Sequence, residues 1–169
     1  WRATYIKQQI DYATQMTSPV QFIGPVTDPT DEDEVKRVAE AIEQVYTNFN
    51  PNIRGLAMSC MRFERDHFGQ KVHPTAAYAS PDLALAYLLD RDGRTIARAI
   101  CWPAKKIYTR VYADTNALDN ALKALGYERN GYYGGTGFKG ARMRKIDGRH
   151  GDYFVMPYID GHHGVTDAG

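Results

Sequence analysis

The stretch from Leu83 to Tyr112, LALAYLLDRDGRTIARAICWPAKKIYTRVY, decides the fold. Two apolar runs flank Asp90-Arg91-Asp92-Gly93, and a third run follows Pro103-Ala104-Lys105-Lys106. An Asp-Gly step between β-prone runs is hairpin chemistry, because glycine accepts the positive φ that tight turns need. Thr95 to Trp102 and Ile107 to Ala113 are therefore expected to be strands. In the second of these, Ile107, Thr109, Val111 and Ala113 alternate with Tyr108, Arg110 and Tyr112. Before the turn, Ser80-Pro81 offers a helix start, cap then first position. One helical turn there, followed by a strand from about Ala84, satisfies both signals.

Outward from this stretch the elements are helical. Thr30 as a cap, Asp33 three residues on and an acidic first turn begin a helix that suits the macrodipole. Val35, Val38, Ala41, Ile42 and Val45 lie on one face, and Asn48 to Pro51 ends it. Residues 1–16 read as a further helix with Ile6, Ile10, Ala13 and Met16 near helical spacing, and Thr17 to Pro29 as an extended linker or crossing strand. Ile53 to Met61 is a short strand or buried loop, and Arg62 to Lys71 is exposed. Downstream, Asp114 or Thr115 caps a helix through Leu125, with Gly126 as its left-handed stop. A glycine-rich loop, 130–137, precedes two final strands, Phe138 to Ile146 and Tyr153 to Ile159. This order predicts an α+β fold, an antiparallel sheet covered on one face by helices. Residues 1–29 form an arm, and 30–169 a single domain.

Composition narrows the class. At 169 residues the chain is long enough to bury a core without staples. Its two cysteines, Cys60 and Cys101, stand far apart with no C-x-x-C pair, against a disulfide framework or zinc ribbon and in favour of a reducing, intracellular setting. No apolar run approaches the ~18 residues of a membrane span. The chain starts at Trp1 and stops in a Gly/His/Asp-rich tail, as a trimmed piece of a longer chain would. Charge is uneven: Asp28 to Glu34 is acidic, whereas Arg91 to Arg149 holds thirteen Lys/Arg against five Asp/Glu. That basic half calls for an anionic partner.

Two arginines, Arg98 and Arg110, lie inside expected strands, where an unpaired guanidinium is rare. They read as an anion site for phosphate or carboxylate, or else as a solvated face or structural pairs with Asp82, Asp90 or Asp114. Tyr108 and Tyr112 beside them have the rings to stack bases. Lys139, Arg142, Arg144 and Lys145 follow the glycine loop on an expected strand, with Arg142 and Arg144 on one face. They suit nucleic acid or an acidic protein surface, or the charge protection of an edge strand. Cys60 with His73 is a conceivable nucleophile and base, though a buried cysteine more often packs as a small apolar residue. His67, His73, His150, His162 and His163 lack metal-ligand spacing. The chain has no G-x-S-x-G, P-loop or G-x-G-x-x-G. No cofactor, metal or catalytic residue is expected from these patterns.

Ser59-Cys60-Met61, Arg98-Ala99-Ile100-Cys101-Trp102 and Thr109-Arg110-Val111-Tyr112 resemble an uncharacterised family of phage, prophage and plasmid genomes, over roughly 53–126. The resemblance implies a mobile-element setting, in the host cytoplasm or the virion, and no named reaction. Asn116 to Leu125, Gly126-Tyr127 and the preceding hairpin are also similar to the closing half of GNAT-type acetyltransferases. The pyrophosphate-binding Q/R-x-x-G-x-G/A turn of that fold has no counterpart here. The expected function is that of a phage-associated accessory protein. It would bind nucleic acid or a protein assembly through a basic, tyrosine-rich face. A GNAT-like acyltransferase and a virion structural or assembly protein are the alternatives.

Overall fold

Asp90 ties the central hairpin together. Its carboxylate accepts from the Asp92 and Arg94 backbone N–H groups at 2.9 Å, from Asn50 Nδ2 at 3.0 Å and from Arg94 Nε at 3.2 Å. Burial pushes this carboxyl's pKa up, but those donors outweigh it and hold it below the ordinary 3.8. Gly93 takes φ +77°, as the turn demands. The computed structural model describes residues 19–69, 71–130 and 137–146, and the backbone of 149–150 and 153–154. The expected helix at 1–16, the centre of the glycine loop and most of the chain after Ile146 lie outside the described residues.

Strands β1 (Gln21–Ile23), β2 (Ala84–Leu89), β3 (Thr95–Trp102), β4 (Ile107–Tyr108) and β6 (Glu128–Arg129) stand side by side in that order, and β5 (Tyr112–Ala113) also pairs with β3. Every pairing in this sheet is antiparallel except that of β4 with β6. Strands β7 (Arg149–His150) and β8 (Tyr153–Phe154) form a separate antiparallel pair. The helices are α1 (Glu32–Thr47), α2 (Arg54–Ala57) and α3 (Ala117–Ala124). The fold is α+β, with a mixed, largely antiparallel sheet of six strands.

Helical cover extends to both faces of the sheet, one more than expected. Ile42, Val45 and Tyr46 of α1 pack with Leu85, Ile100, Trp102 and Ile107. The alternate residues Ala86, Leu88, Ala97, Ala99, Cys101 and Tyr108 pack with Leu56 of α2, Leu118 and Leu122 of α3, and Tyr127. Strand side chains alternate between faces, so the two sets are opposite layers. All eight residues of β3 are buried, the near-continuous run of a strand covered on both sides. Each fully buried Leu or Ile contributes about 1.5–3 kcal/mol.

Local chemistry moved several expected boundaries. Asp31, not Thr30, caps α1 and accepts from Asp33 and Glu34 N–H, while Thr30 donates its hydroxyl to Asp28. Ser80 accepts from Leu83 N–H at 3.2 Å without starting a helix, and the helical turn lies upstream at Pro74–Tyr78. Ile53 to Met61 holds α2 rather than a strand. The expected strand Phe138 to Ile146 has no ladder. Its residues 141–146 form an irregular strap held by Arg144 N–H to the Ala77 carbonyl and by the Arg142–Asp82 pair. Of the expected arm, 21–23 is the sheet edge β1, and Val26 N–H reaches the Ser80 carbonyl. Among the described residues no helix is long and apolar enough to cross a membrane.

The expected single strand Ile107 to Ala113 is broken by a bulge. Tyr108 stands opposite Cys101, and Thr109 N–H still reaches the Ile100 carbonyl. Beyond it, however, Tyr112 stands opposite Arg98 and Ala113 opposite Ala97. The register has slipped by one residue, which reverses the faces that follow. Tyr108 and Tyr112 share a parity in the sequence yet end on opposite sides of the sheet. The bulge places Tyr112 on the face of Arg98.

Candidate anion-binding site

Arg98 points from β3 toward α1 and is 3 % exposed. Its register partners are Tyr87 on β2 and Tyr112 on β5. The guanidinium carbon lies 3.7 Å from the ring centroid of Tyr46, delivered by α1, and 4.4 Å from that of Tyr112. Arg110, exposed on the bulge, lies 4.6 Å from the Tyr112 ring. Tyr46, Arg98, Tyr112 and Arg110 thus form a ladder of alternating rings and cations.

The ladder solvates Arg98 without neutralising it. Arg98 Nη2 donates to Ser59 Oγ at 2.7 Å, and Nε is buried with no hydrogen-bond partner. The ion pairs among the described residues use Lys36, Arg65, Arg94, Lys123 and Arg142, never Arg98 or Arg110. All three carboxylates that sequence proximity offers as partners are engaged elsewhere. Asp82 holds Arg142, Asp90 holds its turn, and Asp114 accepts from Arg54 and Gly55 N–H at 2.9 and 2.8 Å. Burying an ion costs several kcal/mol, two ring contacts return up to about 2 kcal/mol each, and an orphaned buried donor forfeits about 1–3 kcal/mol. The balance leaves a cation short of an acceptor.

Ser59 is the second donor. It is 5 % exposed, and its oxygen accepts from both Arg98 Nη2 and Met61 N–H. With both lone pairs used, the hydroxyl proton is what remains to offer. Tyr46, Ser59, Arg98, Thr109, Arg110 and Tyr112 line a cavity of about 20 Å³, room for roughly one water-sized atom. Ser59, Arg110 and Tyr112 also line an adjoining cleft of about 420 Å³, together with Arg54, Cys60 and Asp114. The arrangement is a small recess of donors opening beside a wider basic mouth.

Gly55 and Asp114 set the mouth. A Cβ on Gly55 would meet the Ala113 carbonyl oxygen at 2.7 Å, so only glycine lets α2 approach β5 this closely. Asp114 then caps the first turn of α2 from across the chain, which positions Ser59 a few residues later.

The other expected site residues lie apart from this recess. Tyr108 is fully buried, and its hydroxyl donates to Asp119, which also pairs with Lys123 at 2.9 Å. Burial, then this carboxylate, pushes the phenol pKa far up. Its ring is core and is closed to base stacking, because its pairing with Cys101 sets it on the α3 side. Arg142 is tied to a carboxylate: its backbone N–H, Nε and Nη2 all bind Asp82, at 2.7, 3.0 and 3.1 Å. Lys139 is exposed in the turn after the glycine loop, and Arg144 and Lys145 on the strap that follows, where no strand aligns them. Arg144 lines a groove along α1 with Glu32, Glu40, Glu43 and Arg65. His73 cannot serve Cys60 as a base in this arrangement. Its Nε2 bonds the Phe63 carbonyl at 2.8 Å and its Nδ1 accepts from Thr75. Burial pushes the Cys101 thiol up to about 12.

Tyr46 was not legible as a site residue. It follows Val45 on the buried face of an amphipathic helix and carries no polar signature in the sequence. Ser59 stood in the Ser-Cys-Met run, but nothing there distinguishes a hydroxyl aimed at Arg98. No family model, curated protein or solved structure matches the chain.

Proposed function

We propose that the chain is a binding module for an anionic partner, and that nucleic acid is that partner. It acts as an accessory protein in the phage-associated setting its sequence resemblance implies. The observation that carries this reading is Arg98, a buried cation with no carboxylate among the described residues, beside a recess that Ser59 and Arg110 share with the apolar Met61, Ala99 and Ile100. Arg98 and Ser59 hold an anionic oxygen, Arg110 and Arg54 draw the strand across the mouth, and the half-buried Tyr112 offers ring surface at the entrance. Lys139, Arg144 and Lys145 add attraction at longer range. The basic excess between Arg91 and Arg149 favours a polyanion over a neutral partner.

A mobility-shift titration at low salt with single- and double-stranded oligonucleotides tests this. Binding that weakens linearly on a log–log salt plot supports it, and the slope falls by about one on Arg110→Ala. Retention of acidic proteins with no affinity for either oligonucleotide reassigns the site to a protein assembly. Acetyl-CoA belongs in the same panel, since its phosphates are anions too. A thermal shift with acetyl-CoA alone moves the site to an acyltransferase.

A further inference from the structure

We infer that the Arg98 recess is built for a terminal phosphate, so that the protein recognises the phosphorylated end of a strand rather than its internal phosphodiesters. This inference rests on the nucleic-acid reading and narrows it. Three features of the recess point the same way.

The first is size. The cavity of about 20 Å³ admits one oxygen-sized atom, while the phosphorus and its remaining oxygens sit in the adjoining cleft of about 420 Å³. An internal phosphodiester carries sugar on both sides of its phosphorus and presses two flanks against the rim. A monoester has chain on one side only, so it enters end-on.

The second is charge. Arg98 and Arg110 both line the cavity, and neither is in an ion pair among the described residues. A monoester carries roughly −1.5 to −2 at neutral pH, which matches two guanidinium groups. A diester carries one negative charge and leaves one of them uncompensated.

The third is the donor set. Arg98 Nε lacks an acceptor, and the Ser59 hydroxyl has both lone pairs occupied by Arg98 Nη2 and Met61 N–H. Arg110 stands exposed at the rim. Donors without acceptors fit three terminal oxygens, and such charge-assisted bonds are the strong ones.

The test uses one short oligothymidylate in three forms: 5′-phosphorylated, 3′-phosphorylated, and hydroxyl at both ends. Binding is read by fluorescence anisotropy, with inorganic phosphate as competitor. The expected result is that one phosphorylated form binds roughly tenfold tighter than the hydroxyl form, and that phosphate erases the difference. Ser59→Ala, which keeps the shape of the site, reduces the preference several-fold, and Arg110→Gln does likewise. Equal affinity for all three forms overturns end recognition and leaves nucleic-acid binding standing. No affinity for any oligonucleotide, together with a melting temperature that inorganic phosphate raises in the wild type and not in Ser59→Ala, ends the nucleic-acid reading and keeps the phosphate site. No response to phosphate or to any oligonucleotide overturns both.

Discussion

Arg98 separates a structural role from a binding one. A buried guanidinium retained for stability is worth more than an apolar residue of its size, whereas one retained for a ligand is not. The double ring contact and the Ser59 bond support the cation, but the missing carboxylate and the orphaned Nε count against it. Replacing buried charges by well-packed apolar groups is often neutral or stabilising by about 1–4 kcal/mol. Arg98→Met is therefore expected to unfold at equal or higher denaturant and to lose phosphate and oligonucleotide binding altogether. A destabilisation of about 3–5 kcal/mol, the loss seen when a working buried pair is broken, would mark Arg98 as structural. The sequence made this residue conspicuous but could not say which case held. What bears on it is that Asp82, Asp90 and Asp114 are occupied elsewhere, a matter of contacts between distant positions.

At the scale of elements, local signals gave the central hairpin, α1 and α3, and long-range pairing gave the site. The Asp90–Gly93 turn, β3 from Thr95 to Trp102 and the Gly126 stop at φ +86° were all legible from propensity and turn chemistry. The bulge at Thr109 to Val111 was not, because alternation continues unbroken through it in the sequence while the register with β3 slips. Tyr112 was grouped with Tyr108 for that reason, although the two end on opposite faces. Likewise Asp114 read as a cap for the helix that follows it, and it caps α2, some 60 residues earlier in the chain. Gly55 tests this docking. Alanine at that position gains up to about 1 kcal/mol of helix propensity, but its Cβ meets the backbone of Ala113 at 2.7 Å. Backbone cannot rotate aside as a side chain can, so overpacking prevails. Gly55→Ala is expected to lose about 1–3 kcal/mol in chemical denaturation. Asp114→Ala is expected to lose about 1–2 kcal/mol, the range for a lost cap. Both shift α2 and with it Ser59, so both weaken phosphate binding as well. Unchanged stability in Gly55→Ala would show that α2 is free to move away from β5.

For the whole molecule, helices were expected on one face of the sheet only, although β3 is apolar on both sides apart from Thr95 and Arg98. The second covered face was missed because periodicity shows that α1 and α3 each have a buried face without saying which layer each one meets. The same burial predicts how stability responds to acid. His73 is 1 % exposed, and burial pushes its pKa below 6.5, while the Phe63 carbonyl and the nearby charges of Glu43 and Glu64 raise it and Arg65 lowers it. The folded state thus refuses a proton that the unfolded chain accepts. The His73 contribution is complete above about pH 6.5 and is lost as pH falls through the depressed value, at no more than about 1.4 kcal/mol per pH unit. Asp82, Asp90 and Asp119 sit below their ordinary 3.8, so their contribution is complete above that value and lost only as pH falls through still lower ones. Acid unfolding is therefore expected in two windows, a first decline starting near pH 6.5 and a second starting below about pH 4. Denaturant midpoints measured from pH 8 to pH 3 separate them. His73→Asn keeps an acceptor near the Thr75 N–H but cannot titrate. It is expected to flatten the first decline and leave the second in place, and a first decline that survives this substitution would assign the acid sensitivity to some other group.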